Sequence, residues 1–415
     1  MLLGLAVVAA AFLFLLKHVS WTVVKSTRLL LGHCFHCLIE CTAMDLISQG
    51  SEHLSANIDE AFASLLAACG QQSFATFDQL FSHIVLKEEG KFEKIAEGKN
   101  SEVFRIQTYT GDSVLKVVKL GYTQESQHRL LTEMKIASRL TALRDRLDFF
   151  TKGFVELKSV TCVFDKCPAE LLEARERAAR TLHDERRDGN ESARTPRAYL
   201  VWHMSYGGVP LDKIELKRPL NLWSILHQVA MSLAVAEEAL QFEHRALLLR
   251  RVLVKYTLEY ASRYTIRGRD YVIETWFLEA CILGGASARL SDGQSCGQSA
   301  GDTPVFTVIK HDSHEPMERH LLNVDINMKI VIRNDWRAFH PLTNRLWLRY
   351  LTKELRWLYK YRFGSDMNEF ETPFWWDIGS WKKKLFKYSS LAEFVANLPH
   401  VRAQRRHGGL TTTTG

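Results

Sequence analysis

The segment Ser232–Arg245, which reads SLAVAEEALQFEHR, decides the architecture of this chain. It lies at the end of a longer stretch, Leu220–Phe242, that has apolar residues along one face and contains neither glycine nor proline. Such a stretch predicts a long helix packed against a core. The charged residues Glu243, His244 and Arg245 follow this helix directly and begin a loop.

The residues before this helix are richer in predicted strands than the residues after it. Phe92–Ile95, Val103–Thr108 and Ser113–Leu120 alternate or are apolar between turn residues, as strands do. Gln127–Leu143 has the pattern of a helix, and Thr343–Tyr361 has the pattern of another helix near the C-terminus. A small strand-rich half followed by a larger helical half predicts an α+β chain with two lobes.

The composition excludes several classes of protein. Of the 415 residues, 46% are hydrophobic and 24% are charged, which is typical of a globular protein and not of a disordered chain or a disulfide scaffold. Apolar runs of spanning length do not recur, so a polytopic membrane protein is excluded. The net charge is +7, and residues 345–415 alone hold 13 Lys or Arg and 6 Asp or Glu. This basic stretch indicates either an anionic partner or a solvated helical surface.

The chain begins with an uninterrupted apolar run, Leu2–Leu16, which partly resumes after Lys17. This run predicts a membrane-spanning signal anchor, with a cleaved signal peptide or a buried helix as the alternatives. The basic residues Lys17, Lys25 and Arg28 all follow the run. By the positive-inside rule, the rest of the chain would then lie in the cytosol.

Two motifs in the strand-rich half have the residue types of a phosphate-binding site. Gly98, followed by Ser101 and Val103, lies where a glycine lets the backbone approach a phosphate closely. Lys116 lies on a predicted strand, and Glu133 follows 17 residues later on a predicted helix. A lysine and a glutamate on such neighbouring elements can form the ion pair that positions the lysine on phosphates.

With these motifs in place, Ser232–Arg245 resembles the helix and loop that enter the catalytic site in the haspin family of atypical serine/threonine protein kinases. The resemblance covers about residues 55–398, and further segments that carry it are Thr151–Leu157, Tyr206–Gly208, Asn334–Trp336, His340–Thr352 and Phe386–Ser390. It implies a bilobal protein-kinase-like fold, with a small strand-rich N-lobe and a larger helical C-lobe. It also implies transfer of phosphate from magnesium-bound ATP to a threonine near the N-terminus of a histone tail.

The resemblance implies roles for single residues as well. It assigns ATP binding to a set of residues in the N-lobe and in the hinge between the lobes: Gly98, Ser101, Val103, Lys116, Glu133, Trp202, His203 and Met204. It matches Asp325 to a structural aspartate in the helix below the catalytic loop, where the aspartate would hold the loop backbone.

The chain departs from the family pattern at the residues that carry the chemistry. In the loop that begins with His244, Ala246 stands where the family has the aspartate that acts as base. Arg251 stands at the position of a metal-binding asparagine, and Gly284 at that of a metal-binding aspartate, which an alternative register places at Lys310. Alanine cannot accept a proton, and a guanidinium is a cation where a cation should bind.

The sequence therefore predicts a haspin-like protein with impaired catalysis, a pseudokinase that acts as a binding or scaffold module. No catalytic residue is intact, ATP binding is expected to be weak, and magnesium is not expected to bind. The alternative is an active ATP-dependent serine/threonine kinase of the histone-tail threonine type. In that case the altered catalytic segment reflects unconventional metal handling or an error in the gene model.

The same reasoning predicts the layout, partners and location of the protein. The membrane, through residues 2–24, and an unidentified protein are the expected partners; a histone tail is implied by the family alone, and direct binding of nucleic acid is not expected. The expected location is a membrane, with the kinase-like domain in the cytosol, or the nucleus if the apolar segment is an artefact of the gene model. The predicted segments are a signal anchor or signal-like segment at 1–24, a juxtamembrane linker at 25–51, an N-terminal helix with the N-lobe at 52–205, the C-lobe at 206–400 and a disordered tail at 401–415.

Overall fold

The structure of the protein is a computed structural model. It describes residues 61–84, 90–121, 123–182, 195–291, 304–308, 319–364, 368–399 and 401–404. The chain divides into two compact units, Met1–Ala63 and Ser64–Gly415, and all but three of the described residues belong to the second. The predicted anchor at 1–24 and linker at 25–51 thus lie outside the described residues, as does most of the predicted tail at 401–415.

Strands form three antiparallel sheets in the described part of the chain, with the orders β1-β2-β3-β6-β5, β12-β10-β9-β4 and β11-β8-β7. The strands are β1 (Lys91–Gly98), β2 (Ser101–Thr108), β3 (Gly111–Lys119), β4 (Phe149–Phe150), β5 (Leu157–Asp165), β6 (Arg197–Ser205), β7 (Val209–Pro210), β8 (Val252–Tyr256), β9 (Ala261–Ile266), β10 (Arg269–Glu274), β11 (Leu278–Ile282) and β12 (Arg402–Gln404).

Most of the described helices follow the five-stranded sheet. The helices are α1 (Ala63–Ala68), α2 (Phe77–Ile84), α3 (Gln124–Thr141), α4 (Ala169–Leu182), α5 (Pro219–Leu240), α6 (Arg319–Ile332), α7 (Leu342–Phe363), α8 (Thr372–Lys384) and α9 (Leu391–Ala396). Short 3-10 turns at Ala142–Arg144 and Leu249–Arg251 connect elements in each half. The structure therefore confirms an α+β fold with a strand-rich N-lobe and a helical C-lobe.

The five-stranded sheet gives its two faces different environments. On β3, Leu115 and Val117 are buried and join the hydrophobic core of the N-lobe together with Phe104 and Val201. Lys116 lies between them and, because side chains alternate along a strand, points to the opposite face of the sheet. One face of the sheet thus builds the N-lobe core, and the other carries the polar residue on which the sequence prediction depends.

Helix α5 forms the centre of the C-lobe. Nearly all of its 22 residues are buried, because it packs against α8, α9 and β11 and not on one side only. The helix ends at Leu240, and Gln241 then adopts a left-handed conformation with a φ of 44° that turns the chain into the loop containing His244. The position of that loop is therefore fixed by the most deeply buried helix of the C-lobe.

The C-lobe also contains the two smaller sheets, which the sequence reasoning did not predict. Strands β8 and β11 pair with each other, and β9 and β10 form a hairpin between them in the chain. Their buried residues, such as Ile273 and Ile282, contribute to the same core as α5. These strands have only five or six residues each, so the alternation of apolar and polar residues along them is too short to predict a strand.

The prediction of a membrane anchor requires correction. Among the residues that the structure describes, no helix is both long and apolar enough to cross a bilayer. Helix α5 has the length, but its apolar sides are covered by protein and it carries Glu237 and Glu238. Residues 2–24, on which the prediction rested, lie outside the described residues. We withdraw the anchor, the membrane as a partner and the membrane-anchored location.

Candidate functional site

The cleft between the two lobes contains the predicted ion pair. The Nζ atom of Lys116 on β3 lies 2.6 Å from Oε1 of Glu133 on α3, and the two side chains are 23% and 20% exposed. Helix α3 is held at its start by Thr123, whose side chain accepts a hydrogen bond from the backbone N–H of Ser126. The pair holds the lysine side chain in place, with part of its surface open to a ligand.

Residues from three neighbouring strands line up beside this lysine. Lys116 pairs in register with Val103 on β2 and with Trp202 on β6, and paired residues of an antiparallel sheet lie on the same face. The Nζ atom of Lys116 also lies 5.0 Å from the centre of the Trp202 ring. The structure thus brings three of the predicted ATP-binding residues into one row on the cleft face of the sheet.

His203 does not join this row. It pairs in register with Leu115, whose side chain belongs to the N-lobe core, so the imidazole lies on the face of the sheet away from Lys116. Burial, with a smaller contribution from Lys158, lowers the pKa of His203 to about 4. Met204, two residues after Trp202, returns to the cleft face. Only the backbone of His203 is therefore placed to serve a ligand in the cleft.

The turn between β1 and β2 is a tight hairpin that contains the predicted phosphate loop. Gly98 pairs with Ser101, and only two residues separate them. A Cβ atom at Gly98 would lie 2.8 Å from Oγ of Ser101, closer than side chains tolerate. A larger residue at position 98 would therefore require the hydroxyl of Ser101 to rotate away, and the backbone of Gly98 is exposed next to the row of cleft residues.

The loop after α5 is organised by a buried ion pair. Both Glu243 and Arg245 are fully buried, and the guanidinium of Arg245 donates to the two carboxylate oxygens of Glu243 at 2.9 and 3.1 Å. Arg245 also donates to the backbone carbonyl of Trp336, and the carboxylate of Glu243 accepts from the hydroxyl of Thr343 and from the backbone N–H of His340. Glu243 is thus committed to structure and cannot replace the missing base.

Asn344 at the start of α7 holds the backbone of the same loop. Its side-chain oxygen accepts the backbone N–H of His244 at 3.0 Å, and its NH2 group donates to the carbonyl of Phe242 at 2.7 Å and to Glu237 at 2.9 Å. Asp325 is buried and forms an ion pair with Lys329 at 2.8 Å, so its predicted role in holding the loop stays a prediction. In the sequence, Asn344 stands out only as part of the segment His340–Thr352. No pattern of neighbouring residues predicts that a buried amide will bond to a distant backbone.

Arg251 points into the interior of the cleft. A Cβ atom at Gly285 would lie 2.3 Å from Nη1 of Arg251, so the guanidinium lies directly against the backbone of the segment that contains Gly284. Burial lowers the pKa of Arg251, and the carboxylate of Glu133 opposes this effect. The charge of Arg251 in turn adds to burial in lowering the pKa of His244 to about 3. A cation of the protein thus lies between the two lobes, near Glu133.

The residues in this cleft do not fit a magnesium ion. The two positions that the family resemblance gives to metal ligands hold Arg251 and Gly284, which offer a cation and no side chain. Lys310, the alternative to Gly284, lies outside the described residues. Within the described residues, no group of three or more His, Cys, Asp or Glu side chains is placed to hold a metal ion. A carboxylate at Gly284 would also be crowded, because its Cβ atom would lie 3.1 Å from Cδ1 of Leu140 on α3. The cleft fits a nucleotide better than it fits magnesium, because Lys116 and the hairpin at Gly98 can contact phosphate groups.

Glu237 beneath the loop is expected to make the stability of the protein depend on pH. Burial raises the pKa of its carboxyl to about 7, against the hydrogen bonds from Asn344 and from the N–H of Leu391, which lower it. In the unfolded chain the carboxyl has its ordinary pKa of about 4.5. The folded state therefore binds more protons between pH 4.5 and pH 7, and it loses stability as the pH rises through this range.

The variant Glu237→Gln removes this titration. We expect its free energy of unfolding, relative to that of the wild type, to rise on the order of 3 kcal/mol between pH 4.5 and pH 8. Urea unfolding of both proteins at a series of pH values measures this difference. A difference that does not change with pH would show that the carboxyl of Glu237 does not titrate in this range in the folded protein.

Comparison with known proteins agrees with this geometry. A family model described as "Haspin like kinase domain" matches residues 45–371. Among similar curated proteins, the mouse serine/threonine-protein kinase haspin is 32% identical over 299 residues, which are 69% of this chain and 38% of the relative. The cattle protein of the same name is 32% identical over 278 residues, which are 63% of this chain and 34% of the relative. An Arabidopsis thaliana haspin homolog is 26% identical over 356 residues, which are 82% of this chain and 55% of the relative.

The chain spans little more than a third of the length of the mammalian relatives it matches. The matched residues include the cleft, the loop after α5 and the start of α7. The similarity thus covers the part of the molecule that contains Lys116, Glu133, Ala246, Arg251 and Gly284.

Proposed function

Because the chain belongs to the family of haspin-like kinase domains, we propose that it is a pseudokinase of that family, which binds a nucleotide weakly and acts as a binding or scaffold module. Its serine/threonine-kinase fold is that of the family. The observation that carries the proposal is the position of Arg251 against Gly285, where the metal-binding segment should lie. The protein would then act by binding a partner through the surface of its folded domain, and not by phosphorylating that partner.

The loss of catalysis follows from the loop itself. Ala246 offers no acceptor for the proton of a substrate hydroxyl, and Glu243 is held by Arg245, Thr343 and His340. Burial and the charge of Arg251 lower the pKa of His244 to about 3, and Nε2 of its ring lies 3.0 Å from the carbonyl oxygen of Leu283. Loss of a base and of a metal ligand each removes several kcal/mol of transition-state stabilisation, about 10³-fold in rate.

The nucleotide would bind without magnesium. Lys116 offers one cation from the N-lobe and Arg251 offers a second from the C-lobe, so that two charged donors face the place where phosphates would lie. A guanidinium bonds phosphate oxygens strongly in such a partly buried site, and magnesium would compete with it for the same oxygens. The preferred ligand is therefore a metal-free nucleoside triphosphate.

The intact ion pair between Lys116 and Glu133 favours one second candidate, an active serine/threonine kinase with unconventional metal handling. Such an enzyme would act on a threonine of a histone tail, as the family resemblance implies. It would have to recruit a base other than Ala246 and a metal site other than the two altered positions. The two candidates differ in phosphate transfer and in the effect of magnesium.

We expect the purified full chain to transfer no phosphate to a histone-tail peptide above background. The test supplies ATP with magnesium and follows the labelled peptide, with the variant Lys116→Ala as the matched control. In parallel, the thermal shift caused by ATP is measured in EDTA and in excess magnesium. The proposal predicts a small shift that magnesium does not increase.

Two results would contradict the proposal. Turnover that disappears in Lys116→Ala would show that the site is catalytic and would favour the second candidate. A clearly larger thermal shift with magnesium would show that a metal site exists in spite of Arg251 and Gly284. A shift that is absent under both conditions would leave a scaffold that binds no nucleotide and would remove the nucleotide-binding part of the proposal.

A further inference from the structure

Helix α7 has an exposed face made only of cations and aromatic rings. Its exposed residues are Arg349, Lys353, Trp357, Lys360, Tyr361 and Arg362, and the only acidic residue of the helix, Glu354, is buried. All but Arg362 lie within one arc of the helix, since steps of four residues bring side chains to the same side. We call these five residues the α7 face. It extends about 18 Å along the helix, from Arg349 to Tyr361.

The cations of the α7 face are not neutralised within the described part of the chain. Arg349, Lys353 and Lys360 form no ion pair there. The guanidinium carbon of Arg349 lies 5.3 Å from the ring centre of Phe386, and Nζ of Lys360 lies 6.0 Å from that of Trp375. Both cations thus contact the faces of aromatic rings, which attract a cation without neutralising its charge. The face therefore presents three positive charges, and its complement is an anionic ligand.

The aromatic side chains of the face are exposed and stack on each other. Trp357 is 55% and Tyr361 is 76% exposed, and their rings are stacked with an interplanar angle of 11° and 5.4 Å between centroids. Contiguous exposed apolar groups rimmed by polar residues often mark an interaction site. A flat pair of rings on a convex helix offers π-faces to another flat group but no pocket for an aliphatic side chain.

We propose that the α7 face binds single-stranded nucleic acid, with phosphates on Arg349, Lys353 and Lys360 and bases stacked on Trp357 and Tyr361. The combination of a basic track with exposed aromatic rings is how proteins bind single strands without sequence preference. This proposal differs from the expectation drawn from the sequence. The composition showed a basic C-terminal stretch, but only the helix places its cations and rings on one side.

The residues of the α7 face favour a single-stranded nucleic acid over other anionic ligands. An intact duplex keeps its bases stacked inside, so it would use the three cations and gain nothing from Trp357 and Tyr361. An acidic peptide would use the cations as well, but carboxylates are repelled by the negative faces of aromatic rings. Dependence on the aromatic pair is therefore the property that identifies the ligand.

The test measures the fluorescence anisotropy of a fluorescein-labelled dT oligonucleotide of about 15 nucleotides with the full chain. We expect binding that weakens as salt rises from 50 to 200 mM, because bound phosphates release counterions. The double variant Trp357→Ala and Tyr361→Ala should weaken binding by about tenfold or more, as loss of base stacking does. Lys353→Glu should weaken binding and reduce its dependence on salt.

Matched controls keep the proposal falsifiable. Tyr109→Ala removes another highly exposed ring, in the N-lobe, and should leave binding unchanged. Equal affinity for a duplex of the same length that is insensitive to the aromatic variants would overturn the proposal. It would also be overturned by absent binding of the oligonucleotide, or by tighter binding of poly-glutamate, which would assign the face to an acidic protein.

Discussion

Replacing Arg245 with methionine is expected to lower the free energy of unfolding by about 3–5 kcal/mol, because it leaves the carboxylate of Glu243 buried without its cation. Both side chains are fully buried, and the pair is bonded through two hydrogen bonds. Arg245 has a left-handed φ of 57°, a conformation that costs arginine and methionine similarly. The variant therefore measures loss of the charge and its hydrogen bonds, and not relief of backbone strain.

Urea unfolding checks this prediction with two further variants. Arg250→Met removes an exposed arginine of the same loop and should change stability by less than about 0.5 kcal/mol. Adding Glu243→Gln to Arg245→Met removes the orphaned charge, so the double variant should be more stable than Arg245→Met alone. If the two changes instead destabilise additively, the buried pair is not the unit that organises the loop.

Replacing Arg251 with methionine is expected to weaken the binding of metal-free ATP by about 10- to 100-fold, which is the loss of a charged hydrogen bond worth about 1.5–3 kcal/mol. The guanidinium is the second cation of the cleft and lies against Gly285. Displacement of a fluorescent ATP analogue in EDTA measures the change. Arg250→Met is again the matched control, because Arg250 is the exposed neighbour in the same turn.

A double variant is expected to convert the cleft into a site that binds magnesium. Arg251→Asn together with Gly284→Asp removes the internal cation and restores two oxygen ligands, so magnesium should now strengthen ATP binding. The new carboxylate must displace Leu140 by a few tenths of an ångström, which limits the gain. If Arg251→Met leaves metal-free binding unchanged, or if magnesium already strengthens binding in the wild type, Arg251 does not replace the metal.

The sequence predicted those parts of the site that depend on the pattern of a strand or on a motif. Lys116 was placed correctly on a strand because Leu115 and Val117 beside it are apolar, and the pairing with Glu133 followed from the motif. The altered positions Ala246 and Arg251 could be read directly. The prediction of an α+β fold with two lobes was confirmed because long segments with a helix or strand period can be assigned from the sequence.

Other features could not be predicted because they depend on contacts between distant residues. Nothing near Arg251 in the sequence shows that its guanidinium meets Gly285, which lies 34 residues later. The bond from Asn344 to the backbone of His244 spans 100 residues. His203 was assigned to the hinge with its neighbours, but the alternation of β6 turns its side chain away from the cleft. The membrane anchor was inferred from an apolar run alone, and the described helices give it no support.

The buried pair of Glu243 and Arg245 also bears on how such a protein can evolve. A substitution at Arg245 is expected to destabilise the fold, whereas Ala246, the next residue, is half-buried and has no polar side chain on which folding depends. Residue types at position 246 can therefore change during evolution with little cost to folding, while the buried pair keeps the loop in the same conformation. Under the proposed function, a base at position 246 would need a single substitution on this loop, whereas two oxygen ligands at positions 251 and 284 would need two more, one of them against Leu140.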